Sequence, residues 1–312
     1  MSFEAFEHMK NIIIERGKHS KLEDLPPYSI AIDGRVQGPQ IDTENHRYSF
    51  DHHFGCLRFC TLAACQQAAT AVLLGLDPTE YTAYLDDADV DVCTAVWCLE
   101  NPDRVNEPLA KKLIDAVGTL DMHAGAYSVN GMMKVVEWIS APELEAKKSN
   151  DYQKVSNETL RSVLEAVLHR IDQYVNGESS EDVNEYCKKI KNEHDHENFS
   201  ILRNENGYAV IEAVDPHIYT RLWKAGFERL LVVRPRKDTL DCTIIKKSDF
   251  VDSYPLLKFY EALNIKENLA NSEFKWGGGT SCGGPPRFPD GSRSKLNLID
   301  VYQEIDKAIL KG

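Results

Sequence analysis

Along the first half of the chain, short apolar runs bounded by turn residues alternate with longer stretches of helical character, a pattern that predicts strands interleaved with helices. Residues 28–33, YSIAID, form an apolar run between Pro26-Pro27 and Gly34 and read as a strand ending on Asp33. A second strand, about 46–50, ends at Asp51. The stretch LRFCTLAACQQAATAVLLG that follows is rich in alanine and leucine, has few breakers and closes on Gly75, as a buried helix would. After Asp77-Pro78, the acids Asp86, Asp87, Asp89 and Asp91 precede an apolar helical stretch that stops before Pro102. A third helix, about 107–119, leads into Leu120-Asp121-Met122-His123.

The second half begins with a charged helical pattern over 156–193, with Ser156 as N-cap and Glu158 in the first turn. The third position after Ser156 is Thr159, so a full capping box is absent. Beyond it, 208–214, 228–235 and 240–247 read as strands and PHIYTRLWKAG, 216–226, as a helix. The segment WGGGTSCGGPPRFPDGSRSK predicts irregular backbone, and a helix at about 296–310 closes the chain. The pattern predicts an α/β protein: a mainly parallel sheet with flanking helices over 1–155, a helical connector over 156–195, and a smaller mixed α/β domain over 196–312.

Composition narrows the partners. A chain of 312 residues with 42% hydrophobic content is long enough for two cored domains. Its 36 basic and 49 acidic residues, a net charge of −13, argue against capture of long duplex nucleic acid and leave room for a local cationic pocket. No apolar run reaches the ~18 residues of a membrane span, and MSFEAFEHMKNIIIERGK lacks a signal-peptide core, so no membrane partner and a cytoplasmic location are expected. The eight cysteines sit mostly in apolar patterns and are expected to be reduced; Cys56, Cys60 and Cys65 lack the paired spacing of a structural zinc site. His194 and His196 fall in a charged stretch and are assigned no role.

The candidate chemistry gathers at element ends. Asp51-His52-His53 follows a strand and precedes a helix, and Asp33, Asp87, Asp89 and Asp121 also fall where ligand sites form in open α/β sheets. A mixed carboxylate and imidazole set suits Mn²⁺. Two such ions, ~3.5–4 Å apart, would need several carboxylates to offset their mutual repulsion. Each aspartate taken alone is equally well read as a helix cap or a solvated turn.

These motifs resemble the DHH phosphoesterase family, named for the triplet that stands here at 51–53. The family joins a metal-binding α/β domain to a smaller C-terminal domain, often with a glycine-rich substrate motif; Trp276-Gly277-Gly278-Gly279 and Gly283-Gly284-Pro285-Pro286-Arg287 resemble that motif. The resemblance implies a DHH-like domain over 1–155 and a DHHA1-like substrate-binding domain over 196–312. It implies metal binding by Asp33, His52, Asp87, Asp89 and Asp121, proton donation by His53, and orientation of the pair by Asp51. Gly277, Gly278, Gly279 and Arg287 would bind the substrate's phosphate. Asp87-Ala88-Asp89 comes after the triplet, whereas the family's Asp-x-Asp precedes it, so the motif order is permuted. The implied activity is hydrolysis of phosphoester bonds in a small phosphorylated molecule or short oligonucleotide. Two ions would activate water, Mn²⁺ first, with Mg²⁺ or Co²⁺ as alternatives, and a homodimer is compatible with this. The alternatives are a catalytically weak relative that binds a nucleotide or phosphorylated ligand, and a structural module in which the triplet is incidental.

Overall fold

The computed structural model describes residues 9, 11–53, 55–129, 131–149, 156–194, 199–213, 218–234, 239–288 and 292–311. Phe54 and His196 lie outside them, as do the ends of the expected strands at 208–214 and 228–235 and the start of the expected helix at 216–226. The chain divides into two compact units. The first takes in Met1–Gly55, Thr61–Met122 and Ser128–Glu193, and the second Cys56–Cys60, His123–Tyr127 and His194–Gly312.

The first unit is built on a five-stranded sheet formed by β1 (Asn11–Ile14), β2 (Ser29–Ile32), β3 (Gln40–Asp42), β4 (Arg47–Phe50) and a later strand, β5 (Thr82–Leu85). Their order is β1-β5-β2-β4-β3. The first four in that order are parallel, and β3 adds an antiparallel edge with Ile41 opposite Tyr48. The sheet is thus mainly parallel, with one strand reversed. All four residues of β2 are buried because both faces of the sheet are covered. Ile30 and Ile32 join the large helical core on one side, and Ala31 packs with Leu22, Leu25, Val36 and Tyr84 on the other.

Helices α1 (Ala64–Leu73), α2 (Val90–Glu100), α3 (Pro108–His123), α4 (Met133–Ile139), α5 (Ala141–Ser149), α6 (Asn157–Val175) and α7 (Ser180–His194) complete this part of the chain. The helix expected from Leu57 begins only at Ala64. Its first turn is held by a carboxylate from another element: Asp91 accepts the Ala64 and Cys65 amides at 2.9 and 3.0 Å. No local Ser, Thr, Asp or Asn marks that start. Helix α2 is apolar almost all round and fully buried from Val92 to Leu99, as a core helix must be.

Ser156 caps α6 as expected, accepting the Thr159 amide at 3.2 Å. Most of the stretch expected as a connector, from Ser156 to Glu193, belongs to the first unit. Leu160, Val163, Leu164, Val167 and Ile171 recur at helical spacing and bury one face of α6 in its core.

The second unit holds β6 (Phe199–Glu205), β7 (Tyr208–Ala213), α8 (Ile218–Lys224), β8 (Arg229–Arg234), β9 (Asp241–Lys246), α9 (Leu256–Lys266), β10 (Gly277–Gly278), β11 (Cys282–Gly284) and α10 (Leu298–Lys311). The mixed sheet runs β10-β11-β9-β8-β7-β6, parallel between β7 and β8 and antiparallel elsewhere. Alternation sends Val210, Leu231, Val233 and Ile244 to one face, against Phe259, Leu263, Val301 and Ile305. Ala209, Ile211, Leu230 and Val232 go to the other, against Ile218 and Leu222.

The glycine-rich segment is largely irregular, as expected, but Gly277–Gly278 and Cys282–Gly284 pair as a two-stranded hairpin on the sheet edge. Gly278 sits at φ +146°, and a Cβ there would overlap the Gly283 backbone, so only glycine permits the pairing.

Candidate metal centre

Asp33 and Asp51 follow the last residues of β2 and β4, adjacent parallel strands, so they leave the sheet at its carboxyl end. The Asp33 amide extends the ladder by donating to Phe50 O at 2.8 Å. The chain then turns at φ +43°, a left-handed conformation that aspartate tolerates better than most residues.

Asp51 is buried and spent on backbone. One carboxylate oxygen accepts the Gly38 amide at 2.6 Å and the other the His53 amide at 3.1 Å, while its carbonyl accepts Gln67 Nε2 from α1 at 2.9 Å. These bonds hold two consecutive imidazoles on one side of the strand end. His52 Nε2 lies 2.6 Å from Asp121 Oδ2 and 3.4 Å from Asp33 Oδ1, and His53 Nε2 lies 2.9 Å from the same Asp33 oxygen. His52 is completely buried, whereas the His53 side chain is 41% exposed. Asp121, expected just beyond a helix, belongs to the last turns of α3.

Two groups of donor atoms are each compact enough to hold a cation, with all atoms inside 4.8 Å: Asp33, His52 and His53, and His52, Asp91 and Asp121. Asp87 and Asp89, expected as ligands, stand outside both. Asp89 is the N-cap of α2 and accepts the Val92 amide at 2.9 Å; Asp87 Oδ2 lies 2.7 Å from Arg16 Nη1. Asp91 takes a place among the donors that the sequence reading did not give it. The sole signal for it was the alternating run Asp87-x-Asp89-x-Asp91, which does not say which carboxylates turn inward.

The electrostatics describe an excess of negative charge. Burial pushes the Asp91 carboxyl up to about 7, helped by the charges of Asp121 and Asp33. Burial also raises Asp89 well above the carboxylate range, with Asp33 as the next cause. For Asp33 burial acts upward too, but the charge of His53 and the close approach of both imidazoles outweigh it and hold the carboxyl well below the usual range. A divalent cation among these donors would relieve the crowding of carboxylates, and imidazole plus carboxylate is a donor set that Mn²⁺ accepts.

In the second unit, the Gly279 amide donates to Cys282 O at 2.8 Å within the hairpin, so that N–H is already used. Gly277 is open, with nothing within 4 Å of where a Cβ would stand. Arg287 is exposed. A different cation, the buried Arg58, lies against the hairpin: a Cβ on Gly279 would come within 3.2 Å of Arg58 Cγ and 3.4 Å of its Nε. All eight cysteines are free thiols, and among the described residues no helix is long and apolar enough to cross a membrane.

Neither a scan against models of known protein families nor a search of curated proteins returns a match for the chain.

Proposed function

We propose that the chain is a divalent-cation-dependent hydrolase of phosphoester bonds, a DHH-like phosphoesterase acting on a small phosphorylated molecule or a short oligonucleotide. The observation that carries this reading is the meeting of Asp33, His52, His53 and Asp121 in one small volume at the carboxyl end of a parallel sheet. His52 would hold the cation, either with Asp91 and Asp121 or beside Asp33, best matched by Mn²⁺ with Mg²⁺ or Co²⁺ next, and when bound it would supply activated water and neutralise charge on phosphoryl oxygens.

The protein's own residues have separable tasks. His53, the exposed imidazole with Nε2 2.9 Å from Asp33, would donate a proton to the departing oxygen. Asp51 positions both imidazoles through the Gly38 and His53 amides and does not reach the substrate. The acidic balance of −13 disfavours a long polyanion, and the reduced thiols suit the cytoplasm.

The test is a Mn²⁺ titration of the chelator-stripped protein against a generic phosphodiester and a generic phosphomonoester. Turnover that depends on Mn²⁺ and disappears in His52→Ala supports a hydrolase. Metal binding without turnover on a broad panel would refute it and favour a phosphate-ligand receptor built on the same site.

A further inference from the structure

We propose that Arg16 and Lys147 stand where a second metal ion would otherwise be needed, so that the centre loads one divalent cation per chain. This rests on the metal-dependent reading above and changes the count of ions it implies.

Two sets of acids in the first unit bear on the ion count. Asp33, Asp91 and Asp121 surround the imidazoles. Among the described residues, Asp33 forms its ion pairs with His52 and His53 and with no lysine or arginine. Both candidate triads meet at His52, whose Nε2 faces Asp33 at 3.4 Å and Asp121 at 2.6 Å, and that nitrogen has a single lone pair to give, so whichever triad is filled His52 serves one ion.

Asp87, Asp89 and Glu143 form the other set, at the N-terminus of α2, and protein cations already answer them. Arg16 pairs with Asp87 at 2.7 Å in a contact where the side chains are only 18% and 19% exposed. Glu143, buried, pairs with Lys147 one turn later on α5 and also accepts the Val90 amide. Desolvation works against the Lys147 ammonium even though its side chain is 39% exposed, yet Glu143 first and then Asp87 and Asp89 keep it charged. Asp89 spends an oxygen on the Val92 amide. Asp87 and Glu143 thus each face a side-chain cation, and Asp89 faces the positive end of a helix, so this set has its own counter-charges without a metal. An incoming divalent ion would meet a guanidinium and an ammonium at the position that Asp87 and Asp89 were expected to offer it.

The experiment loads the full chain with Mn²⁺ after chelator stripping and reads stoichiometry by native mass spectrometry, with electron paramagnetic resonance as a second readout. The expected result is one ion per chain with the spectrum of an isolated Mn²⁺. In the double variant Arg16→Met, Lys147→Met a second ion should enter and an exchange-coupled spectrum should appear. Two ions and a coupled spectrum in the unaltered protein would overturn the proposal while leaving the hydrolase reading standing. No ion at all would remove both. A double variant that keeps its circular dichroism but still binds one ion would also overturn it. Should that variant not fold, the count and spectrum of the unaltered protein decide the matter.

Discussion

Replacing Asp91 with alanine should release the first turn of α1 and, through it, the Asp-His-His loop. Two buried amides, those of Ala64 and Cys65, lose their acceptor. Hydrogen bonds to a charged group are each worth about 1.5–3 kcal/mol net, so the pair contributes about 3–6 kcal/mol. Part of that is offset because burial and the neighbouring Asp121 and Asp33 carboxylates push Asp91 to about 7, leaving it half protonated at neutral pH. Removing the carboxyl relieves that crowding, so the net loss is expected to fall short of the full sum, at about 2–4 kcal/mol. Asp91→Asn keeps one acceptor oxygen and should cost about 1–2 kcal/mol. Urea unfolding measures the total. Hydrogen exchange of the 64–73 amides locates the loss, which should reach His52 because Gln67 on α1 donates to the Asp51 carbonyl. Unchanged exchange of α1 together with a destabilisation under about 1 kcal/mol in Asp91→Ala would refute the reasoning.

Gly278→Ala should destabilise the second unit by about 2–4 kcal/mol, since the new methyl would overlap the Gly283 backbone at a φ that favours glycine, and thermal melts against Gly277→Ala, where space is open, isolate the effect. Arg35 is 1% exposed, pairs with Glu15 at 2.6 Å and keeps Nε and Nη1 without hydrogen-bond partners among the described residues. Glu15→Ala should therefore destabilise by more than Arg35→Met, which removes a buried charge and fits the surrounding apolar side chains, and equal losses in denaturant titrations would count against this. Asp306 accepts both Arg203 nitrogens at 3.1 and 2.7 Å and the Tyr208 hydroxyl at 3.0 Å; burial acts upward, but these bonds, Arg203 first, hold its folded pKa below the ordinary value. A depressed acid stabilises above its unfolded pKa of ~3.9, so Asp306→Asn should cost about 1–3 kcal/mol at pH 7, a difference that shrinks as pH falls below ~4, read from melts of both proteins across pH.

The strands that carry the centre were legible because β2 and β4 are short apolar runs punctuated by proline, glycine and a terminal acid, and that signal is local. β5 and α9 were not set apart, because their apolar residues merge with neighbouring stretches of similar character. The short hairpin inside the glycine-rich segment was not foreseen, because glycine marks close approach as readily as irregularity, and here the approach is between paired strands. Arg58 was invisible as a neighbour of the glycines, since more than two hundred residues of chain separate Arg58 from Gly279.

The Asp-His-His triplet and its neighbour Asp33 were legible in the sequence alone. A carboxylate and two imidazoles in succession at a strand end, with Asp33 at the end of the next strand, is a local arrangement that strand geometry converts into proximity. Which of the remaining acids join them was decided by tertiary structure. Asp87, Asp89 and Asp91 are two residues apart in one short run, yet one pairs with Arg16, one caps its own helix and one turns to cap another. Composition and spacing treat those three carboxylates alike; only the packing of α1, α2 and β1 around them assigns each a different partner.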